Sequence, residues 1–216
     1  MRRVLSNKER SLLERSIARA EKLTGAQIVL AVIEKCDSYA EIPWKAFALG
    51  AAIAGFLVFI FDLLYSQWCS PVLVMISVFI ILIAGIFTSL LSLYIPSFAR
   101  FFLAEHRAET EVRQYAESLF LSRELYATRR RTGVLLLVGL FEHQIILLPD
   151  KGLRRRLSHK AMQNIIGQMK PVLSSGQVAR ALEIGLVKIV EILALKKRGK
   201  ARSNELSDII IEEKGA

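Results

Sequence analysis

Between Ala46 and Ala99 the only charged residue is Asp62, and all 30 Lys and Arg lie outside that stretch. Few structures tolerate such a gap. Two apolar runs fill it, 47–65 and 72–95, separated by Ser66-Gln67-Trp68-Cys69-Ser70-Pro71. Each run reaches the length of about 20 helical residues needed to cross a hydrocarbon core roughly 30 Å thick. In a water-free core the backbone must satisfy its own donors and acceptors, and a helix does so within one segment. The pair is predicted to be a transmembrane helical hairpin. A cleavable signal segment is not expected, because some 45 residues with capped helical and strand-like patterns precede the first run.

Charge gives the expected orientation. Of the 30 basic residues, 9 precede the gap, 21 follow it and none lies in the connecting loop. The positive-inside rule then puts both flanks and both termini in the cytoplasm of a prokaryote, with Trp68 and Cys69 on the far side of the inner or plasma membrane. Trp44 and Tyr94 would mark the inner interface, Tyr65 and Trp68 the outer. Cys36 and Cys69 fall on opposite sides and are not expected to pair.

The mean hydropathy of +0.38 comes mainly from the gap, so the flanks have ordinary globular composition. Together they suffice for one compact domain, whereas two separate ones would be too small. The chain therefore divides into 1–45, the hairpin 46–99, the rest of the domain at 100–203 and an extension at 204–216. A net charge of +10 favours an anionic cytoplasmic leaflet, at about 1 kcal/mol per basic residue near it. Nucleic acid is not expected as a partner, since no aromatic platform or reader motif accompanies the charge.

Along the flanks, Ser6-Asn7-Lys8-Glu9 is a capping box opening a helix with Leu12, Leu13, Ile17, Ala20 and Leu23 at helical spacing. Gly25 closes it, and Gln27–Ile33 then reads as a buried strand. After the gap, Ala108, Val112, Tyr115, Ala116, Leu119 and Phe120 mark a helix over about 104–125. Strands over Gly133–Leu140 and Gln144–Leu148 form a hairpin turning at Phe141-Glu142-His143. Two helices follow, about 154–169, stopped before Pro171, and about 175–197, with a capping box from Ser174 and Gln177. The strand, helix, strand passage predicts parallel pairing, with the membrane hairpin inserted after the first strand. The fold class is α/β, a small mixed sheet covered by helices.

Several segments carry a family resemblance: Thr24-Gly25-Ala26-Gln27-Ile28-Val29, Ala127-Thr128-Arg129-Arg130-Arg131-Thr132-Gly133-Val134, Glu142-His143-Gln144-Ile145-Ile146, Asp150-Lys151-Gly152-Leu153 and Asn204-Glu205-Leu206-Ser207-Asp208. Together they resemble the TPM domain family, and its membrane-inserted prokaryotic members most. That family is named after a thylakoid lumen protein with acid phosphatase activity, a photosystem repair factor and an auxiliary subunit of acetylcholine receptors. The resemblance implies an α/β sandwich associated with membrane complexes, and either an enzyme or an accessory role. Many members place an acidic pair before the Gly-Val-Leu strand, where plausible metal ligands would sit. Here Arg131 and Thr132 stand there, Gln27 stands where Glu is frequent, and Asp150-Lys151-Gly152 replaces a Gly-Tyr-Gly turn. Hard cations need several oxygen ligands, so no metal or other cofactor is expected, and a divalent cation would find one carboxylate at most.

Asp150, Gly152, Thr132 and Arg131 are the candidate ligand-binding residues, because the end of a strand leading into a helix is where α/β domains bind ligands. A turn or cap is the structural alternative for Asp150. Arg129, Arg130, Arg154, Arg155 and Arg156 are candidate contacts to lipid headgroups or phosphate, arginine being the bidentate phosphate binder. Lys196–Lys200 form a third basic cluster, and all three also read as a solvated cytoplasmic face. Glu142 with His143 and His106 with Glu109 read as surface polar pairs, and Asp62 as a side chain reaching the outer interface. No phosphate loop, serine-nucleophile motif, zinc signature or internal repeat is visible. The sequence thus predicts a non-enzymatic accessory or regulatory factor for a membrane protein complex; a weak metal-assisted phosphatase and an anionic-lipid surface module are the alternatives.

Overall fold

A computed structural model describes residues 4–65, 70–128, 130–194 and 210–215. Two compact units appear, one built from residues 1–37 with 106–216 and the other from 38–105.

The first unit is built on a four-stranded sheet of order β3-β2-β1-β4. It begins with α1 (Asn7–Thr24), whose Ser6 and Glu9 form the predicted capping box and whose end is closed by Gly25 in the left-handed region at φ 67°. Next, β1 (Gln27–Lys35) runs parallel to β2 (Gly133–Gly139), and β2 turns into antiparallel β3 (Gln144–Pro149). The predicted parallel pairing and the β2–β3 hairpin are both present. Strand residues alternate between two faces, and each face has its own core. Ile28, Leu30, Val32, Val134 and Leu136 pack with residues of α1, α6 (His159–Ser174) and α7 (Val178–Ala194). On the opposite face Val29, Ala31, Ile33, Leu135 and Leu137 pack with Val112, Ala116 and Leu119 of α5 (Glu105–Ser122). The result is a mixed sheet with helices on both sides, as the fold class anticipates.

Three features of this unit differ from the sequence reading. The helix read from Arg154 starts instead at His159, because Leu153 and Leu157 plug the core from a run of turns and Ser158 caps the helix, accepting the Ala161 N–H at 3.4 Å. It passes Pro171 and ends at Ser174, so this proline forfeits one backbone bond in the last turn rather than ending the helix. The capping box expected from Ser174 and Gln177 does not form: Ser174 is helical, and the Ser175 hydroxyl donates to Val172 O at 2.8 Å. Most consequentially, the extension contains β4 (Ile211–Gly215), which pairs parallel with β1 from Ala31 to Lys35. The motif Asn204–Asp208 and the basic cluster Lys196–Lys200 lie outside the described residues, as do Trp68 and Cys69.

The second unit holds α2 (Glu41–Leu64) and α3 (Pro71–Tyr94), followed by the short α4 (Pro96–Phe101). Both long helices are long and apolar enough to cross a membrane, and only 6 % of each apolar window is buried. Helix α2 begins at Glu41, six residues before the apolar run that starts at Phe47, since Glu41 and Lys45 fit its first turns without interrupting that run. Small residues line the contact between the helices. Ala46, Gly50 and Ala54 repeat every four residues on α2, and the Thr88 hydroxyl of α3 donates to Ala46 O at 2.9 Å, an alternative to its own-helix acceptors Ala84 O and Gly85 O. A side chain at Gly50 would run into Thr88 and approach Ala84 O to 2.9 Å. Gly50→Leu is accordingly expected to force the helices apart and destabilise their packing by about 1–3 kcal/mol, read as a lowered thermal midpoint in detergent. An unchanged midpoint would contradict this close packing. Asp62 is exposed near the end of α2.

Candidate functional site

The hairpin register decides what gathers near Asp150. Val134 pairs with Pro149, so one step further along, Asp150 meets Gly133, and its N–H donates to Gly133 O at 2.8 Å. The next step brings Gly152 N–H to Arg131 O at 2.9 Å. Gly152 must be glycine for a steric reason: a Cβ there would lie 2.5 Å from Arg130 O and 2.6 Å from Arg131 O. Both obstacles are backbone. Gly152→Ala should therefore displace the loop and cost about 1–3 kcal/mol of stability in chemical denaturation, whereas a neutral effect would mean that the two segments are not in contact.

Arg131 sits in the left-handed region at φ 57°, uncommon for a residue with a side chain. It is held there from several sides. Its N–H donates to Thr128 O at 2.9 Å, its Nη1 donates to Tyr126 O at 3.0 Å, and its guanidinium lies 5.7 Å from the centre of the Tyr126 ring. Its Nε is 3.4 Å from Asp150 Oδ2. Asp150 is buried, and its Oδ1 accepts the Lys151 N–H at 2.7 Å. Oδ2 has the guanidinium as counter-charge, but without hydrogen-bond geometry. Thr132 joins through its backbone, donating N–H to Thr128 Oγ1 at 2.9 Å and accepting the Gln27 N–H at 3.1 Å. The four candidates Asp150, Gly152, Thr132 and Arg131 thus converge on one loop pair.

The basic candidates are less united. Arg154 lines the cleft beside Asp150, Arg130 contributes its carbonyl behind Gly152, Arg155 is exposed, and Arg156 is half-buried. Arg129 lies outside the described residues. The cleft itself has a volume of about 500 Å³.

Strand direction places this cleft. The rule that ligands bind at the carboxyl ends of strands concerns parallel strands, and β3 is antiparallel. Asp150 therefore lies at the amino ends of β1 and β2. The carboxyl ends carry a second polar cluster, which sequence reasoning did not single out. There Glu142 is buried in the hairpin turn and accepts the Cys36 N–H at 2.8 Å, correcting its reading as a surface residue. Burial pushes the Cys36 thiol up, and the neighbouring Glu142 carboxylate, its hydrogen bond and Glu111 add to the shift. Such a thiol is protonated and unreactive at neutral pH. Nearby, the Tyr115 hydroxyl donates to Glu213 Oε2 at 2.7 Å, and Arg123 meets Glu213 Oε1 at 3.1 Å. Burial, then the bond to Glu213, raises the Tyr115 phenol. These contacts tie β4 to α5. At the same end, Arg107 Nη2 and Asp37 Oδ2 are 3.2 Å apart, bridging the two points where the chain leaves for and returns from residues 38–105.

His106 is exposed, and its expected companion Glu109 pairs with Arg113 at 3.3 Å instead. Among the described residues no group of three or more His, Cys, Asp or Glu is placed to hold a metal ion. At Asp150 an incoming cation would meet the Arg131 guanidinium, whose charge opposes it.

Residues 93–192 match the model of the TPM domain, which bears out the resemblance drawn from the sequence. The match starts where α3 ends, although the structure puts β1, from before the hairpin, in the middle of the same sheet. Among solved structures, the chain is similar to the NMR structure of the BA42 protein from the psychrophilic bacterium Bizionia argentinensis sp. nov.. That likeness has a TM-score of 0.57 at 13 % identity, covers 98 % of this chain and 97 % of that one, and shows a shared fold. No curated protein matches the chain.

Proposed function

We propose that the chain is an integral membrane protein whose TPM-like domain, facing the cytoplasm, acts as a non-enzymatic accessory or regulatory factor for a membrane protein complex. The observation that carries this reading is the exposed apolar surface of α2 and α3. Two helices of 24 residues each, with 6 % of their apolar windows buried, need a lipid environment or other apolar partners to cover them. A soluble protein's core helix would be mostly buried instead. The hairpin also interrupts the domain between β1 and α5, so the domain remains within a few residues of the bilayer at both junctions.

Support for a non-enzymatic role comes from the site. The buried carboxylate of Asp150 is compensated by Arg131, an arrangement suited to holding a loop in place more than to accepting a proton or a metal. The test is affinity capture of the full chain from detergent-solubilised membranes, after cross-linking in the membrane. A reproducible membrane-protein partner is expected; recovery of none above background, with and without cross-linking, would overturn the accessory role.

A further inference from the structure

We propose that the cleft beside Asp150 is a receptor for a small apolar monocarboxylate, the chemical class of an aryl or branched-chain acid. Its volume of about 500 Å³ falls within the roughly 300–1,000 Å³ of small-molecule sites. Phe120, Leu121, Tyr126, Leu148 and Pro149 form an apolar wall, and Leu121 is 62 % exposed. Apolar surface left open beside a few charged groups fits a ligand with an apolar body better than a bare ion.

The charged groups of the cleft set both the sign and the size of the ligand's charge. Asp150 does not touch the ligand, because its Oδ2 is closed to solvent and stands 3.4 Å from Arg131 Nε. Its effect is on Arg131. The buried carboxylate, Tyr126 O accepting from Nη1 at 3.0 Å and the Tyr126 ring together hold the guanidinium in place. That guanidinium is still 45 % exposed at the cleft, and an arginine fork carries more N–H donors than these contacts use. The left-handed backbone at φ 57° is a strain that keeps it there, and a cation fixed before binding loses little freedom when a carboxylate arrives. Lys151 and Arg154 add two exposed cations whose side chains have no partner among the described residues. Against these three formal positive charges stand Asp150 and the exposed Glu117, which leaves one net positive charge, three minus two. A monoanion neutralises it. A dianion such as a phosphate monoester would overshoot and be repelled by Glu117.

The experiment is calorimetric titration of the full chain in zwitterionic nanodiscs with phenylacetate, and with phenylacetamide, acetate and phenyl phosphate, which in turn lack the charge, lack the ring and carry a second charge. Saturable phenylacetate binding is expected, with phenylacetamide and acetate weaker by about tenfold or more and phenyl phosphate weaker as well. Arg154→Glu, at an exposed position that does not threaten folding, should weaken phenylacetate by a similar factor. Glu117→Gln, also exposed, should tighten phenylacetate about two- to fivefold and phenyl phosphate more. Absence of saturable binding would overturn the proposal, as would any of the three analogues binding as tightly as phenylacetate, or Arg154→Glu having no effect. Loss of phenylacetate binding in discs containing phosphatidylglycerol would assign the cleft to lipid headgroups and overturn it too. In discs doped with oleic acid to equal charge, competition with phenylacetate would assign the carboxylate to a membrane source and undiminished binding to a dissolved one, and either result upholds the site. Because no partner protein enters the titration, its failure leaves the accessory role standing, and failure of partner capture leaves the cleft standing.

Discussion

Replacing residues 38–105 by a short Gly/Ser linker is expected to move the protein completely from the membrane pellet to the soluble fraction while leaving the sheet folded. The cause is the distribution of the two cores. Every residue of both hydrophobic clusters lies in 5–36 or 112–210, and none comes from the excised stretch. The ends to be joined are already close, since Asp37 and Arg107 form an ion pair at 3.2 Å. A short loop replacing a long one changes closure entropy by only a few RT, because that cost grows logarithmically with length. The β1–β2 pairing from Gln27–Gly133 to Ile33–Gly139 would then be made across an ordinary connection. Fractionation with circular dichroism reads the outcome. A soluble protein without β signal, or one that stays in the pellet, would show that the hairpin is part of the domain's own fold.

The second large effect is at Ile210. It is 1 % exposed, belongs to the core shared with α1, α6 and α7, and its carbonyl accepts from Arg10 Nη2 at 3.3 Å. Ile210→Ala should cost about 2–5 kcal/mol by loss of buried surface and the cavity left behind. For a chain of this size each kcal/mol shifts the thermal midpoint by about 2–4 °C, so the loss is readily measured. Glu213→Gln offers a milder companion. It weakens the contacts to Tyr115 and Arg123 and should loosen β4 without opening a cavity. A wild-type midpoint in Ile210→Ala would mean that the C-terminal segment is not part of the sheet.

The strands differ in how much of them the sequence reveals, and the reason is burial. Central β1 and β2 are covered on both faces, so their residues are apolar in unbroken runs that announce a strand. As an edge strand, β4 keeps only Ile211 partly against a core, and Glu212, Glu213 and Lys214 read as a polar tail. Its partners, Tyr115 and Arg123, are about 90 residues away and follow no local period. The contact of Arg131 with Asp150 was closer to legible, since the pairing register extended past Val134–Pro149 brings those loops together. Direction was legible too, since a hairpin is antiparallel by construction; the rule for ligands at carboxyl ends holds for parallel strands, and the antiparallel β3 puts Asp150 at the amino ends of β1 and β2. Glu142 was not legible. A carboxylate in a turn is ordinarily solvated, but here the end of β1 presents the Cys36 N–H, and the side chain turns inward to accept it.

The central claim is that one domain closes across its own membrane hairpin, which requires residues on both sides of the hairpin to face the same compartment. Site-directed thiol labelling of intact cells tests it most directly, using a Cys36→Ala background with Cys69 native, and with single cysteines introduced at Lys8 and at Lys160 of a Cys69→Ala form. Both lysines are exposed, on α1 and α6. With a membrane-impermeant reagent, Cys69 is expected to label in intact cells, while Lys8→Cys and Lys160→Cys label only after lysis. Labelling of Lys8→Cys and Lys160→Cys from opposite sides would contradict the account.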